Sequence, residues 1–444
     1  MFRKYFHLVI IIFLLTPALF YSQTSDVDYA KDNHFRYDDY EYSSNIKTVM
    51  LHRDLGDPTS TNDQLSDPII SLGAHERLLL SFDDLNGGGR DYYYTFIHCD
   101  AHWQPSDINI YDVIKGYTED RITNYSSSSN TYQNYTHYSL SFPNEAIRLM
   151  ISGNYIIKVF ADDDPDQVVL TRRFMIVDRH VNINASVDKP STVSEIDSKQ
   201  AIDFSIINRD YPIADAYQEL TVVIKQNGRW DNEISNLKPL FVKDNEFDYS
   251  YQDGNLFNGA NEFRWFDTRT LQSNTERTLR LEKVNDTFQV YLTKDPNLSS
   301  QRYSTVDDIN GHFYIHTQDV PTPNPDVECD YSVVHFNFPY VTPIDTGNFY
   351  IFGALTDWTV RKEAMLTYDF NAQAYKGSLY VKQGYYNYWI VFVGDKSGAA
   401  DETLAEGNHW ETENDYTILV YDHPISSRYD QLIGIKKINS MKTY

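Results

Sequence analysis

Cysteine is almost absent from this sequence, which has only 2 among its 444 residues, Cys99 and Cys329. Two cysteines cannot hold together a disulfide-rich scaffold. Basic residues are also scarce, because 38 Lys and Arg face 63 Asp and Glu, and the formal net charge is −25. Nucleic acids and anionic lipid surfaces select basic patches, so this charge balance argues against both as partners.

The sequence also lacks the short motifs of common catalytic sites. It contains no G-x-S-x-G, no H-E-x-x-H and no C-x-x-C, which are typical of serine hydrolases, zinc proteases and thiol or metal sites. The glycine run at residues 87–89 has no following Lys-Ser/Thr, so it indicates a turn and not a phosphate loop. We therefore predict that the protein is not an enzyme and needs no metal or other cofactor.

Long apolar runs are missing except near the N-terminus. Residues 8–15 form an apolar run after Arg3 and Lys4, and a short polar stretch follows at residues 21–23. This is the pattern of a secretory signal peptide, and the run is shorter than the roughly 20 residues of a membrane-spanning helix. We predict a signal peptide over residues 1–22 and an exported protein that is not inserted in a membrane.

Aromatic residues are abundant, with 36 Tyr and 24 Phe, and many fall in patterns with a period of two. Residues 92–99 and 155–160 alternate in this way, and residues 220–224 run into Asn227-Gly228, a strong hairpin signal. No long amphipathic helix is visible. Short strands separated by polar turns predict an all-β fold of three tandem β-sandwich domains of the immunoglobulin-like type, after the signal peptide.

The expected domain boundaries follow changes in composition. The first domain is predicted over residues 23–180, the second over 181–320 and the third over 331–444. A Pro-rich linker is predicted between the last two, at residues 321–330, because alternating prolines cannot join a sheet ladder and favour a stiff, extended chain.

The densest group of polar side chains lies at residues 98–106. On a strand, His98, Asp100 and His102 would share one face, as metal ligands could, although no further ligand is visible by spacing. The alternative is a strand end that turns a corner, with Asp100 capping the turn and Trp103 packed. Cys99 points to the opposite face. Export to an oxidising compartment permits disulfides, so a bond between Cys99 and Cys329 is one possibility.

The third predicted domain carries an aromatic pattern of its own. Residues 352–358 (FGALTDW) and 384–388 (GYYNY) resemble the immunoglobulin-like starch- and glycogen-binding modules, in which exposed aromatic rings stack on sugars. Trp358 and Tyr388 are the candidates for that contact. The alternative is that these rings pack in a core or an interface, since aromatic residues serve packing as readily as sugar binding.

Taken together, the motifs resemble the plug protein family of the type 9 secretion system of Bacteroidetes, over nearly the whole mature chain. The most specific is residues 93–106 (YYTFIHCDAHWQPS); His102 departs from the pattern, where an acidic residue is expected. The others are residues 46–51, 68–72, 82–85 (FDDL), 134–138, 143–144, 152–155, 170–175 (LTRRFM), 259–264 (GANEFR), 266–267, 411–416 and 427–434 (SRYDQLIG).

The resemblance implies a non-enzymatic periplasmic protein that closes the inner mouth of the giant outer-membrane translocon barrel. That barrel is the expected partner, with this chain monomeric in the complex and attached to the outer membrane only through it. Aromatic anchors suit such an interface. The residues expected to serve binding or structure are His98, Asp100, His102, Trp103, Arg172, Arg173, Trp358 and Tyr388.

Two other functions remain open. A secreted glycan-binding protein is motivated by Trp358 and Tyr388. A small outer-membrane barrel is motivated by the tyrosine content, but it requires evenly spaced ten-residue strands with apolar outer faces. Residues 436–444 do not alternate in that way.

Overall fold

The computed structural model describes residues 35–57, 60–251, 253–320 and 324–441. The predicted signal peptide and two of the linker prolines, Pro321 and Pro323, lie outside the described residues. The fold is all-β, as predicted, and its helices are single short turns. Within the described ranges, no helix is both long and apolar enough to span a membrane.

The first unit, residues 35–178, packs two main sheets around one core. One sheet has the order β1-β12-β11-β5-β7, with β3 parallel to β12, and the other has the order β2-β4-β9-β8. Buried aromatic and aliphatic side chains of both sheets form a single cluster. The strands are β1 (Tyr40–Glu41), β2 (Ile46–Arg53), β3 (Ile69–Ser71), β4 (Leu78–Asp84), β5 (Tyr92–Cys99), β6 (Ile114–Gly116), β7 (Glu119–Arg121), β8 (Asn124–Ser127), β9 (Thr136–Phe142), β10 (Ile147–Leu149), β11 (Gly153–Ala161) and β12 (Val168–Val177), with helical turns α1 (Thr61–Gln64) and α2 (Ile110–Val113).

The second unit begins at residue 181. Its first sheet has the order β13-β14-β17-β16, and β18 also pairs with β14. The strands of this part are β13 (Asn182–Asp188), β14 (Lys199–Ile207), β15 (Leu220–Gln226), β16 (Phe241–Lys243), β17 (Glu246–Asp248) and β18 (Leu256–Asn258), with helical turn α3 (Ala216–Glu219).

The third unit is a ten-stranded sheet folded around its own core. Its order is β19-β27-β24-β25-β26-β23-β21-β20, with β22 and β28 on β27, and β21 runs parallel to β23. The strands are β19 (Arg264–Asp267), β20 (Thr278–Val284), β21 (Thr287–Leu292), β22 (Phe313–Ile315), β23 (Tyr331–Pro339), β24 (Gly347–Phe352), β25 (Met365–Asp369), β26 (Ala374–Lys382), β27 (Gly384–Gly394) and β28 (Ala400–Asp401), with α4 (Pro325–Glu328), α5 (Thr403–Glu406) and two 3-10 turns (Ala354–Thr356, Lys362–Ala364).

The last two strands, β29 (Asp415–Asp422) and β30 (Gln431–Asn439), return to the second unit. β15 pairs with β29 along the whole length of β15, and β29 pairs with β30 on its other side. Side chains from β14, β15, β29 and β30 fill one core. The second sheet of this unit is therefore built from two stretches of chain separated by the entire third unit.

Strand pairing runs across the boundaries that composition indicated near residues 320 and 331. β19 to β22 lie before the prolines, yet they belong to the same sheet as β23 to β28. Pro325 starts the helical turn α4 between two strands of that sheet, so Pro325 lies in a connection within a unit. Composition is local, whereas strand partners are chosen over long distances in sequence.

Candidate functional site

The polar cluster after β5 is a capped turn. The Oδ1 atom of Asp100 accepts hydrogen bonds from the N–H groups of His102, at 2.9 Å, and Gln104, at 2.8 Å. Trp103 takes a φ of 62° and buries its ring, while His102 points to solvent. Asp100 thus fixes the corner that carries Trp103 inward.

His98 is buried and both of its ring nitrogens are engaged. Nδ1 lies 2.8 Å from Ser106 Oγ, and Nε2 lies 3.1 Å from the carbonyl oxygen of Ser152. Burial lowers the pKa of His98, and its ring packs edge-on against Tyr429 of the C-terminal hairpin at 5.4 Å. Among the described residues, no group of three His, Cys, Asp or Glu side chains is placed to hold a metal ion. His98 is therefore a hydrogen-bonded packing residue at the junction of the first and second units.

Trp103 and Arg173 extend that contact. The guanidinium carbon of Arg173 lies 4.9 Å from the Trp103 ring centroid and 5.4 Å from that of Trp230, on the second unit. The two indole rings meet edge-on at 5.0 Å. Each cation–π contact contributes about 0.5–2 kcal/mol, the larger values applying when water is excluded.

A buried apolar cluster continues the junction of the first and second units. It combines Cys99 and Met175 of the first unit with Val223 and Leu419 of the second. Tyr421, in the same cluster, donates a hydrogen bond to Asn154 Oδ1 across the junction, at 2.8 Å. These units share a core at this point, so their contact is unlike the polar, mobile interfaces common between domains.

Arg172 joins the first unit to the third. Its guanidinium is paired with Glu41 on β1 and lies 3.4 Å from Asp357 Oδ2 on the third unit. Arg361 of the third unit in turn reaches Glu41 Oε2 at 2.6 Å and also pairs with Asp357. Burial opposes ionisation of Glu41, but the two guanidinium groups outweigh it and hold the pKa of that carboxyl below its usual range. The four groups form one mostly buried ionic network.

A second, fully buried charge pair joins the same two units. Asp83 at the end of β4 accepts from Lys382 Nζ and from the Tyr331 hydroxyl, both at 2.7 Å. Its other oxygen lies 2.7 Å from His137 Nδ1. The side chains of Asp83 and Lys382 are each 1% exposed. Burial favours the neutral acid, but Lys382 and His137 prevail and lower the pKa of Asp83.

The Asp83–Lys382 pair has no recognisable signal in the sequence. Asp83 is one of 63 acidic residues, and Lys382 lies 299 positions further along the chain. The only local signal is a lysine at the end of the apolar strand β26. Lysines are also common where a strand ends at the solvent-exposed surface, so this lysine does not indicate a buried partner.

The loop between β8 and β9 is also fastened to the third unit. The backbone N–H groups of Tyr132 and Gln133 donate to the carboxylate of Asp330, at 2.7 and 3.1 Å. Tyr135 donates from its hydroxyl to the carbonyl oxygen of Cys329 at 2.9 Å. Lys382 Nζ lies 4.3 Å from the Tyr135 ring centroid, so this loop covers the buried charge pair.

Trp358 and Tyr388 do not form an exposed platform for a sugar ring. Tyr388 is fully buried, and its hydroxyl lies 3.1 and 3.0 Å from the two carboxylate oxygens of Asp295. Trp358 is partly buried, with its ring against Phe263 and Phe352 at 5.9 and 5.7 Å. The alternative, in which both rings serve packing, agrees with these positions.

The two cysteines do not form the disulfide that the sequence permitted. Both are free thiols, and both are buried. Cys99 lies in the cluster between the first and second units, and Cys329 lies in the core of the third. Burial raises the pKa of each thiol to about 12. Both side chains therefore act as small apolar groups.

This arrangement predicts thiols that are unreactive until the protein unfolds. Iodoacetamide should label neither Cys99 nor Cys329 in the native protein and both after denaturation without reductant, because the thiolate is the reactive form and burial suppresses it. Mass spectrometry of the intact protein measures the outcome. A denatured, unreduced sample that takes up no label would instead reveal a disulfide.

Comparison with known proteins agrees with the sequence resemblance. Residues 46–178 match the family described as type 9 secretion system plug protein 1st domain. A crystal structure of a hypothetical protein from Parabacteroides merdae is similar over 91% of this chain and 100% of that chain, with a TM-score of 0.85 and 30% sequence identity. None of the curated proteins compared matches. The similarity to the solved structure extends through all three units.

Proposed function

Because this chain belongs to the type 9 secretion system plug protein family, we propose that it is a non-enzymatic plug for the periplasmic opening of the outer-membrane translocon barrel. Family membership associates the chain with type 9 secretion and with the cell envelope. The finer elements of the proposal are a periplasmic location, direct contact with the barrel protein, and a single copy in the complex.

The observation that carries the proposal is the fastening of the three units. A plug for a wide pore must keep its shape when one side is loaded, and separate β domains on linkers would not. Here the Asp83–Lys382 pair and the network around Arg172 are buried between the first and third units. A shared apolar cluster joins the first and second.

The return of β29 and β30 to the second unit supports a revised domain division. We place the first domain at residues 35–178, the second at 181–258 together with 412–440, and the third at 260–410. The third domain is then an insertion in the second, attached to it by two chain crossings, which restrict bending more than one linker does. We retain the β-sandwich, immunoglobulin-like assignment as part of this proposal.

The function is tested in a strain that lacks the gene. Loss of the protein is expected to admit large antibiotics that the outer membrane normally excludes, and the tagged protein should copurify with a very large barrel protein from detergent-solubilised outer membranes. Recovery of no membrane partner, together with retention on a polysaccharide column, would overturn the proposal in favour of the glycan-binding alternative.

The link from structure to function is tested by complementation. A variant with Lys382→Met breaks the buried pair, and we expect it to restore the barrier only in part. Lys376→Met is the matched control, because Lys376 lies on the same strand β26 in an exposed pair with Asp369. Equal antibiotic resistance in the two complemented strains, at equal protein levels, would contradict the proposal that the buried Asp83–Lys382 pair is needed for the barrier.

A further inference from the structure

The three units surround a cavity of about 440 Å³, which is within the size range of small-molecule sites. Arg173 contributes to its wall from the first unit, Lys225 and Trp230 from the second, and His312 and Trp358 from the third. Any molecule held there would contact all three units at once.

Lys225 is the unusual group in this cavity. Its side chain projects from β15 and the residue is only 6% exposed. Nζ lies 3.7 Å from the centroid of the Trp230 ring. Within the described parts of the chain, the ammonium has neither a hydrogen-bond acceptor nor an ion-pair partner. Buried ammonium groups are normally paired, because desolvation of a lone charge is costly.

The acidic side chains of the cavity wall are already engaged. Asp67 pairs with Lys437 at 3.3 Å, and Asp231 pairs with Arg229 at 2.6 Å. Asp38 pairs with Arg36, Asp39 accepts the backbone N–H of Arg173 at 2.7 Å, and Asp357 belongs to the network around Arg172. Each of these carboxylates has another partner, and among the described residues none lies within ion-pair distance of Lys225, although Asp67, Asp39 and Glu233 favour its charged form from further away and Arg173 opposes it.

A second cation contacts the same indole ring. Arg173 donates from Nε to the carbonyl oxygen of Tyr37 at 3.2 Å, and its guanidinium carbon lies 5.4 Å from the same Trp230 ring that Lys225 covers. Two cations on one indole ring, at the edge of an open volume, are the donors that a carboxylate needs. The Trp230 and Trp358 rings supply apolar surface in the same volume.

We propose that this cavity binds a small carboxylate with a planar apolar group. The carboxylate pairs with the ammonium of Lys225 and the guanidinium of Arg173, and the planar group packs against the indole rings of Trp230 and Trp358. A ligand with these contacts binds only when the three units are assembled, so it stabilises the assembled form by mass action. The inference does not depend on the plug function.

Benzoate is a suitable probe, and benzamide is its uncharged control of nearly equal shape. We expect benzoate to change the tryptophan fluorescence of the mature protein in a saturable manner and to raise its thermal midpoint, and benzamide to do neither at the same concentration. Lys225→Met should weaken benzoate binding at least tenfold. Lys243→Met, at an exposed position on β16, should leave it unchanged.

A measurement on the unaltered protein guards against a variant that misfolds. Benzoate stays ionised above neutral pH, so its affinity should fall between pH 7 and pH 10 as Lys225 loses its proton, whereas a site that recognises only the ring would not respond. Absence of saturable benzoate binding, equal binding of benzamide, or unchanged affinity in folded Lys225→Met protein would each overturn the proposal. Near-UV circular dichroism verifies the fold of each variant.

Discussion

Replacing Lys382 by Met is expected to lower the free energy of unfolding by about 3–5 kcal/mol, because removal of one partner leaves the other charge buried and uncompensated. The charge left behind is Asp83, which is 0% exposed and retains His137 and Tyr331 as hydrogen-bond partners. Urea unfolding at neutral pH, followed by tryptophan fluorescence, measures the change.

The control for this prediction is Lys376→Met. Lys376 forms an ion pair of 2.8 Å with Asp369, but the two side chains are 43% and 37% exposed. Exposed pairs contribute about 0–1 kcal/mol, so this variant should be nearly neutral. Combining Lys382→Met with Asp83→Asn should recover much of the loss. Equal stability of Lys382→Met and Lys376→Met would show that the buried pair does not hold the units together.

The pair also predicts a dependence on pH. Lys382 and His137 keep the folded-state pKa of Asp83 below the unfolded value of about 3.9. Its contribution to stability is therefore present above that value and is lost as the pH falls through the folded-state pKa. The difference in the free energy of unfolding between the wild type and the Lys382→Met, Asp83→Asn double variant should become smaller as the pH falls below about 3.9.

Replacing Lys225 by Met is expected to have the opposite effect, a gain of about 2–3 kcal/mol at pH 7. Burial lowers the pKa of Lys225 to about 8, against an unfolded value of about 10.4. Folding must therefore either bury the charge or release the proton. Methionine has a similar length, carries no charge and makes favourable contacts with an aromatic ring such as Trp230.

The pH dependence of this second effect has a definite sign. Between about pH 8 and pH 10.4 the unfolded chain binds the proton of Lys225 more strongly than the folded protein. The free energy of unfolding of the wild type therefore rises with pH across that window. The difference in stability that favours Lys225→Met becomes smaller. Urea unfolding at pH 7 and pH 9.5 measures both values; a variant less stable than the wild type at pH 7 would show that the ammonium has an unrecognised partner.

The all-β fold was predictable because strand signals are local. The alternation at residues 92–99 coincides with β5, whose burial alternates along most of its length, and the Asn227-Gly228 turn follows β15. The capped turn at Asp100 was predictable for the same reason, since an Asp that accepts from the N–H groups two and four residues later involves only nearby atoms.

The junctions between units were not predictable in this way. Asp83 and Lys382 become partners only because β4 and β26 meet in space, and Trp230 reaches Trp103 because the first and second units pack together. Tyr388 illustrates the limit for single residues. Its position in an aromatic strand left open both a sugar-binding ring and a packed ring, and the partner of its hydroxyl inside the core, Asp295, lies 93 positions earlier.

The return of β29 and β30 to the second unit determines the order in which the protein can become complete. A chain interrupted before Asp415 leaves β15 without its hydrogen-bonding neighbour, and it removes the side chains of Leu419, Tyr421 and Leu432 that cover the first unit. Exposed strand edges of this kind promote aggregation and proteolysis. Truncated copies should therefore be degraded and not accumulate, so only chains that include the hairpin of β29 and β30 should persist.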